Sequence, residues 1–245
     1  MSKIIKNNWA VTLTGVLLVL GGIALDIVIQ TGGTLALIGT AKVLHVGKNT
    51  ALPIVAMILV FAILLGVTVK ILLSMVRVQA PKTGVHAMEG HKLAWVFKGY
   101  GLILASSMVM AIVQSIVLGK PETAANQASL QELAHSGLAP QIFLVLLAAV
   151  LAPLVEELIF RGVLMNYFFK NASWWWANVL FSGLVFGYFH VVMQQFQWFA
   201  LIQYSLMGVV LAIVYKKTRQ IQYSMLTHCL NNSVAMLIML ISIAK

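Results

Sequence analysis

Long apolar runs separated by short polar joints set the pattern of the chain. Runs near 9–30, 50–76, 94–119, 139–168, 174–193, 196–215 and 222–243 each reach the roughly 20 residues that a helix needs to cross a bilayer. The stretch "TLALIGTAKVLHVG" (34–47) is shorter and carries Lys42. It is expected as an interfacial or re-entrant segment; if it spanned, there would be eight crossings. Residues 120–138 form the longest polar linker. Within it Ser129 and Glu132 make an S-x-x-E pattern, which predicts a capped surface helix. No internal repeat or low-complexity tract interrupts the pattern. The predicted fold is all-α, a polytopic membrane helix bundle of about seven transmembrane helices.

Composition strengthens this reading. The chain is 61% hydrophobic and 9% charged, with a mean hydropathy of +0.96, whereas soluble domains carry about 25% charged residues. The first apolar run is too long for a signal peptide and lacks a cleavage site. With the N-terminus inside, the cytoplasmic joints hold Lys3, Lys6, Arg77, Lys82, Lys92, Lys170, Lys216, Lys217 and Arg219. The opposite side holds Lys42, Lys48, Lys120 and Lys245. That asymmetry follows the positive-inside rule and predicts a multi-pass protein of the cytoplasmic membrane. The net charge of +10 is then mainly a topology signal with some attraction to anionic lipid. No basic patch interleaved with aromatics points to nucleic acid. The single cysteine, Cys229, excludes an intrachain disulfide and a cysteine zinc site. Its neighbour His228 points about 100° away on a helix, so the two do not form a nucleophile pair.

The run "LAPLVEELIFRGVL" (151–164) breaks the apolar pattern with Glu156, Glu157 and Arg161. A charged side chain at the bilayer centre costs at least about 2.5–3.5 kcal/mol on insertion scales, so such residues face a bundle interior or a cavity. Glu157 and Arg161 are i,i+4 and can pair. Glu156 is left over, which one structural ion pair does not explain. Two close carboxylates shift each other's protonation, as a general base requires. Two other polar faces lie inside predicted spans: Phe186 with His190, and His228 with Asn232, each at i,i+4. A lone intramembrane histidine is usually a hydrogen-bonded packing residue. Here Glu, His and His with Asn fall on three helices of one bundle, as in sites built from facing helices. His45, His86, His91 and His135 lie in the joints.

"EELIFR", "FGYFH" and "HCLNN" read as E-E-x-x-x-R, F-x-x-x-H and H-x-x-x-N. In that order, these resemble the CAAX protease and bacteriocin-processing family, also called the Abi family, over about residues 139–243. The resemblance implies a C-terminal four-helix catalytic core within 139–245, preceded by N-terminal membrane helices and the polar linker in 1–138. It implies a glutamate-dependent intramembrane endopeptidase without a cofactor. Glu156 would be the base that activates water, and His190 would hold or polarise that water. His228 and Asn232 would donate to the oxyanion, and Glu157 and Arg161 would support them. Asn231 is the nearby rival to Asn232, but the family spacing selects the latter.

Other readings remain open from the residues. Two histidines and a glutamate can bind zinc with one open position, although the H-E-x-x-H signature is absent. A bacteriocin self-immunity protein would need only binding, and a transporter could use the same groups as a proton relay. The expected partners are the lipid bilayer and a membrane-associated peptide, by family analogy a bacterial pheromone or bacteriocin precursor, entering by a cytoplasmic mouth. One conflict of depth arises: straight helices place His190 farther than His228 from the cytoplasmic ends of their spans.

Overall fold

A computed structural model describes residues 8–79, 85–168, 175–192 and 195–244. Lys3, Lys6, Lys82, Lys170 and Lys245 lie outside the described residues. Among those described the elements are α1 (Asn8–Val43), α2 (Ala51–Gln79), α3 (Gly90–Leu118), α4 (Ala125–Ala134), α5 (Leu138–Tyr167), α6 (Trp175–Val192), α7 (Trp198–Thr218) and α8 (Ile221–Ile243). All except α4 are long and apolar enough to cross a membrane. Their outward faces carry large apolar side chains such as Leu17, Ile63, Phe97, Ile116 and Ile238, as lipid as solvent requires. The protein is a multi-pass, all-helical membrane protein.

Two expectations change. Residues 34–43 are not a separate interfacial segment, because α1 runs unbroken to Val43. The Thr34 hydroxyl bonds back to Gln30 O at 2.9 Å, so this polar residue needs no partner outside the helix. At 36 residues and about 1.5 Å per residue, α1 is longer than the bilayer core is thick, and Lys42 sits in its last turn. The linker does fold a helix, α4, but Ser129 does not cap it. The N-cap is Ala124, with no side-chain cap, and Ser129 Oγ bonds to Ala125 O at 3.0 Å one turn inside.

Small residues fix how closely the helices approach. Gly22 of α1 faces Ile159 of α5, and Gly162 of α5 faces Val76 of α2. The tightest seam joins α6 to α7. Gly183 and Gly187, a G-x-x-x-G pair, lie against the α7 backbone, the small-residue contact that lets membrane helices pack without a hydrophobic drive. A Cβ on Gly187 would stand 2.7 Å from Ser205 N and 2.8 Å from Leu201 O. The seam therefore places α6, and with it His190, at a set distance from α7.

Gly187→Ala should therefore splay α6 from α7 and cost about 1–3 kcal/mol as overpacking, read as a lower melting temperature in detergent. Gly101→Ala, where a Cβ meets nothing within 4 Å, should show no such loss.

Candidate active site

Helix α5 carries the acidic pair through an altered backbone. It winds as a π-helix over Leu146–Leu151 and Leu158–Leu164, with ordinary α-helix over Ala152–Glu157 between them. Wide turns of this kind cluster at functional sites. Pro153 at the start of the middle stretch lacks the N–H that a regular α-turn would use. The second wide turn redirects Arg161 and bares carbonyls, which Asn166 Nδ2 meets at Gly162 O, 2.7 Å away. At the end of α5, Asn178 Nδ2 donates to Met165 O at 2.9 Å and Phe168 O at 2.7 Å. Those bonds lock α6 antiparallel to α5 in the register that brings residue 190 level with residue 156.

Arg161 has no solvent exposure. Its Nη1 lies 3.0 Å from Glu157 Oε1, its Nη2 donates to Gly208 O of α7 at 2.6 Å, and its guanidinium lies 4.9 Å from the Phe186 ring centroid. Glu157 is also fully buried, and its Oε1 accepts from His228 Nδ1 at 3.3 Å. Glu156 points elsewhere. Its Oε2 is buried without a hydrogen-bond partner and stands 3.8 Å from His190 Nε2. His190 Nδ1 donates to Phe186 O at 2.9 Å. A carbonyl only accepts, so the neutral ring leaves a lone pair on Nε2 toward Glu156. The His190 ring is sandwiched between Phe186 at 4.4 Å and Tyr204 at 4.6 Å.

Asn232 Nδ2 donates to Ala148 O at 2.9 Å, in the first wide turn of α5, and its Oδ1 accepts from Asn231 at 3.1 Å. Asn231 thus orients Asn232. His190, His228, Asn232, Tyr204 and Ala148 line a cavity of about 90 Å³. The three motif-bearing helices meet there, Glu156 lies beside it against His190, and Phe186 packs between the two histidines. The depth conflict has a simple resolution. Phe186 touches His228 although it lies farther into its helix, so α6 begins about one turn below α8. His190, one turn beyond Phe186, then stands level with Asn232. Cys229 is half-buried and does not line the cavity.

Two participants were not singled out from the sequence. Tyr204 is one. Asp26 of α1 is the other: it is 6% exposed and its Oδ2 accepts from Gln30 Nε2 at 2.8 Å. The same cost of a carboxylate in lipid that marked Glu156 would have found Asp26. Besides the residues on α5 to α8, Asn126, Gln127 and Leu130 of α4 line the cavity. Among the described residues no three of His, Cys, Asp and Glu converge as metal ligands; each histidine faces a different glutamate.

Removing Arg161 takes from Glu157 its guanidinium partner, and breaking a buried pair in this way costs about 3–5 kcal/mol. Arg161→Ala should therefore lower the melting temperature in detergent far more than Glu156→Gln, which takes a charge away from a site with no direct cation partner.

Comparison with known proteins supplies the context of this cluster. Residues 138–234 match the type II CAAX prenyl endopeptidase Rce1-like family. The chain is 21% identical over 174 residues to the "Putative membrane peptidase YdiL" of Bacillus subtilis (strain 168), covering 71% of this chain and 67% of that protein. It is 29% identical over 157 residues to the UPF0177 protein YvdC of Lactococcus lactis subsp. lactis (strain IL1403), covering 61% of this chain and 57% of that protein. No solved structure matches the chain significantly. The matched segment contains Glu156, Glu157, Arg161, His190, His228 and Asn232, so all six lie in the part of the chain that is similar to the Rce1-like family of CAAX prenyl endopeptidases.

Proposed function

We propose that the protein is an intramembrane endopeptidase that hydrolyses a membrane-associated peptide with a water activated by Glu156. The observation that carries this reading is the buried, unpartnered Oε2 of Glu156 at 3.8 Å from the His190 Nε2 lone pair. Both groups accept. A water held between them gives one proton to each hydrogen bond and turns its own lone pairs toward the cavity. Glu156 takes the proton as the water oxygen bonds to the scissile carbonyl carbon. The C–N bond then breaks, and Glu156 returns the proton to the leaving amine.

The developing oxyanion needs donors. The second N–H of Asn232 is one. His228 already donates from Nδ1 to Glu157, so its Nε2 donates only when the ring is protonated. Glu157, whose Oε1 stands 3.3 Å from His228 Nδ1, is placed to stabilise that protonated ring. It therefore steadies both His228 and Arg161, and the proposed chemistry uses no metal. The basic joints support a cytoplasmic N-terminus in the plasma membrane, and the family resemblance supports a pheromone or bacteriocin precursor as substrate.

Peptidomics of cells making wild-type or Glu156→Gln protein tests the base. Peptides that depend on the wild type should vanish with the variant while the membrane level of protein stays equal; persistence of those peptides would exclude Glu156. Once a substrate is in hand, Asn232→Ala should cut kcat about 10²–10³-fold as the loss of an oxyanion donor, with less effect on KM. Activity should survive prolonged chelation, and its return on adding stoichiometric zinc after a loss would replace glutamate catalysis with metal catalysis.

A further inference from the structure

We infer that Tyr204 is a positioning residue for the proposed reaction: its ring, and not its hydroxyl, holds the His190 imidazole in the plane that aims Nε2 at Glu156. This rests on the peptidase reading for the task that His190 performs. Glu156 Oε2 and His190 Nε2 stand 3.8 Å apart. A water is held between them only while the Nε2 lone pair points along that line, and the lone pair lies in the plane of the ring. The bond from His190 Nδ1 to Phe186 O, at 2.9 Å, restrains the ring within its plane. It does not stop the ring from tilting, because a carbonyl oxygen accepts over a broad range of directions. Tilting is stopped by what covers the two faces.

Among the described residues, three aromatic rings surround the imidazole. Phe186 lies at 4.4 Å and Phe189 at 5.7 Å, but both belong to α6 and move with His190. Tyr204 is the one that comes from another helix. It stacks at 4.6 Å with 26° between the ring planes, a separation at which aromatic rings attract. The closest backbone contact between the two helices sets its distance. Leu201 O and Ser205 N of α7 stand against Gly187, and Gly208 stands against Gly183. Tyr204 lies between those contacts, so the seam that fixes α6 on α7 also fixes the stack. The hydroxyl is placed for less. Its partner is Asn126 Nδ2 of α4 at 3.5 Å, longer than the about 2.7–3.2 Å of an ordinary N–H···O bond. Among the described residues no hydrogen bond joins it to Glu156, His228 or Asn232, whose partners lie elsewhere. The well-made contact of Tyr204 is therefore the one through its ring.

The test uses the purified full chain in detergent with histidine labelled by ¹⁵N in the ring, and it reads which ring nitrogen of His190 carries the proton. Loss of signals in His190→Gln assigns them. In mildly alkaline buffer, where an imidazole is neutral, the wild type should show the proton on Nδ1 and a bare Nε2. Tyr204→Phe keeps the ring and should keep both that tautomer and the wild-type kcat on a Glu156-dependent substrate. Tyr204→Leu should move both nitrogens toward the average of the two tautomers and cut kcat on the order of 10²-fold, as a small misplacement of a reacting group does, with KM little changed. Should Tyr204→Leu fail to fold, Tyr204→Met fills the space with a flexible chain and takes its place. Any other pattern overturns the inference. A loss of kcat in Tyr204→Phe would hand the role to the hydroxyl. A wild-type tautomer in Tyr204→Leu would reduce the stack to packing, and so would an averaged tautomer with an unchanged kcat. The two readings fail separately. A tautomer that follows the Tyr204 ring, in a protein whose peptides are indifferent to Glu156→Gln, sinks the peptidase reading and leaves the hold on His190 standing. Glu156-dependent peptides with a tautomer indifferent to Tyr204→Leu sink only this inference.

Discussion

A single guanidinium, buried without solvent contact, ties the functional helices together. Arg161 of α5 binds Glu157 of its own helix and the Gly208 carbonyl of α7, and it packs against Phe186 of α6. Glu157 in turn holds His228 of α8. Four helices thus meet through one ion pair in a medium that offers no water to take its place. The pair is costly to bury and is compensated only when each charge is matched and hydrogen-bonded. That requirement sets the rotation of α5 and the orientation of His228, and it leaves Glu156 facing His190.

The wide turns in α5 make this arrangement possible. A regular α-helix would satisfy its carbonyls internally and repeat its side chains every 3.6 residues. The π-helical stretches shift that phase on both sides of the acidic pair and release carbonyls to other donors. Ala148 O accepts from Asn232, and Gly162 O accepts from Asn166. The irregular backbone is buried in protein or lines the cavity, the setting in which membranes tolerate it.

The N-terminal helices do more than surround this core. Gly15 and Gly22 let α1 approach Tyr167 and Ile159 of α5, so the buried Asp26 of α1 belongs to the helix packed against the one that carries the proposed base. The close α6–α7 seam plays the corresponding part on the other side, since the stacking of His190 on Tyr204 depends on how near α7 stands.

Much of this was legible in the residue order. Runs of about 20 apolar residues in lipid have few alternatives to helix, so seven spans follow from hydropathy. The cost of charge in hydrocarbon made Glu156, Glu157 and Arg161 conspicuous, and i,i+4 spacing paired two of them. The sequence did not show that α1 continues through residues 34–43, because Lys42 at a helix end and Lys42 in a surface segment look alike without the neighbouring helices. Nor did it show Tyr204 or the opening beneath α4, since each depends on the approach of residues far apart in the chain, whereas Asp26 was legible by the same cost of charge in lipid. Local rules gave the helices and their polar faces. Which faces meet, at what depth, and toward which end the cavity opens was decided by tertiary packing, because glycine contacts, wide turns and one buried ion pair set the register between helices.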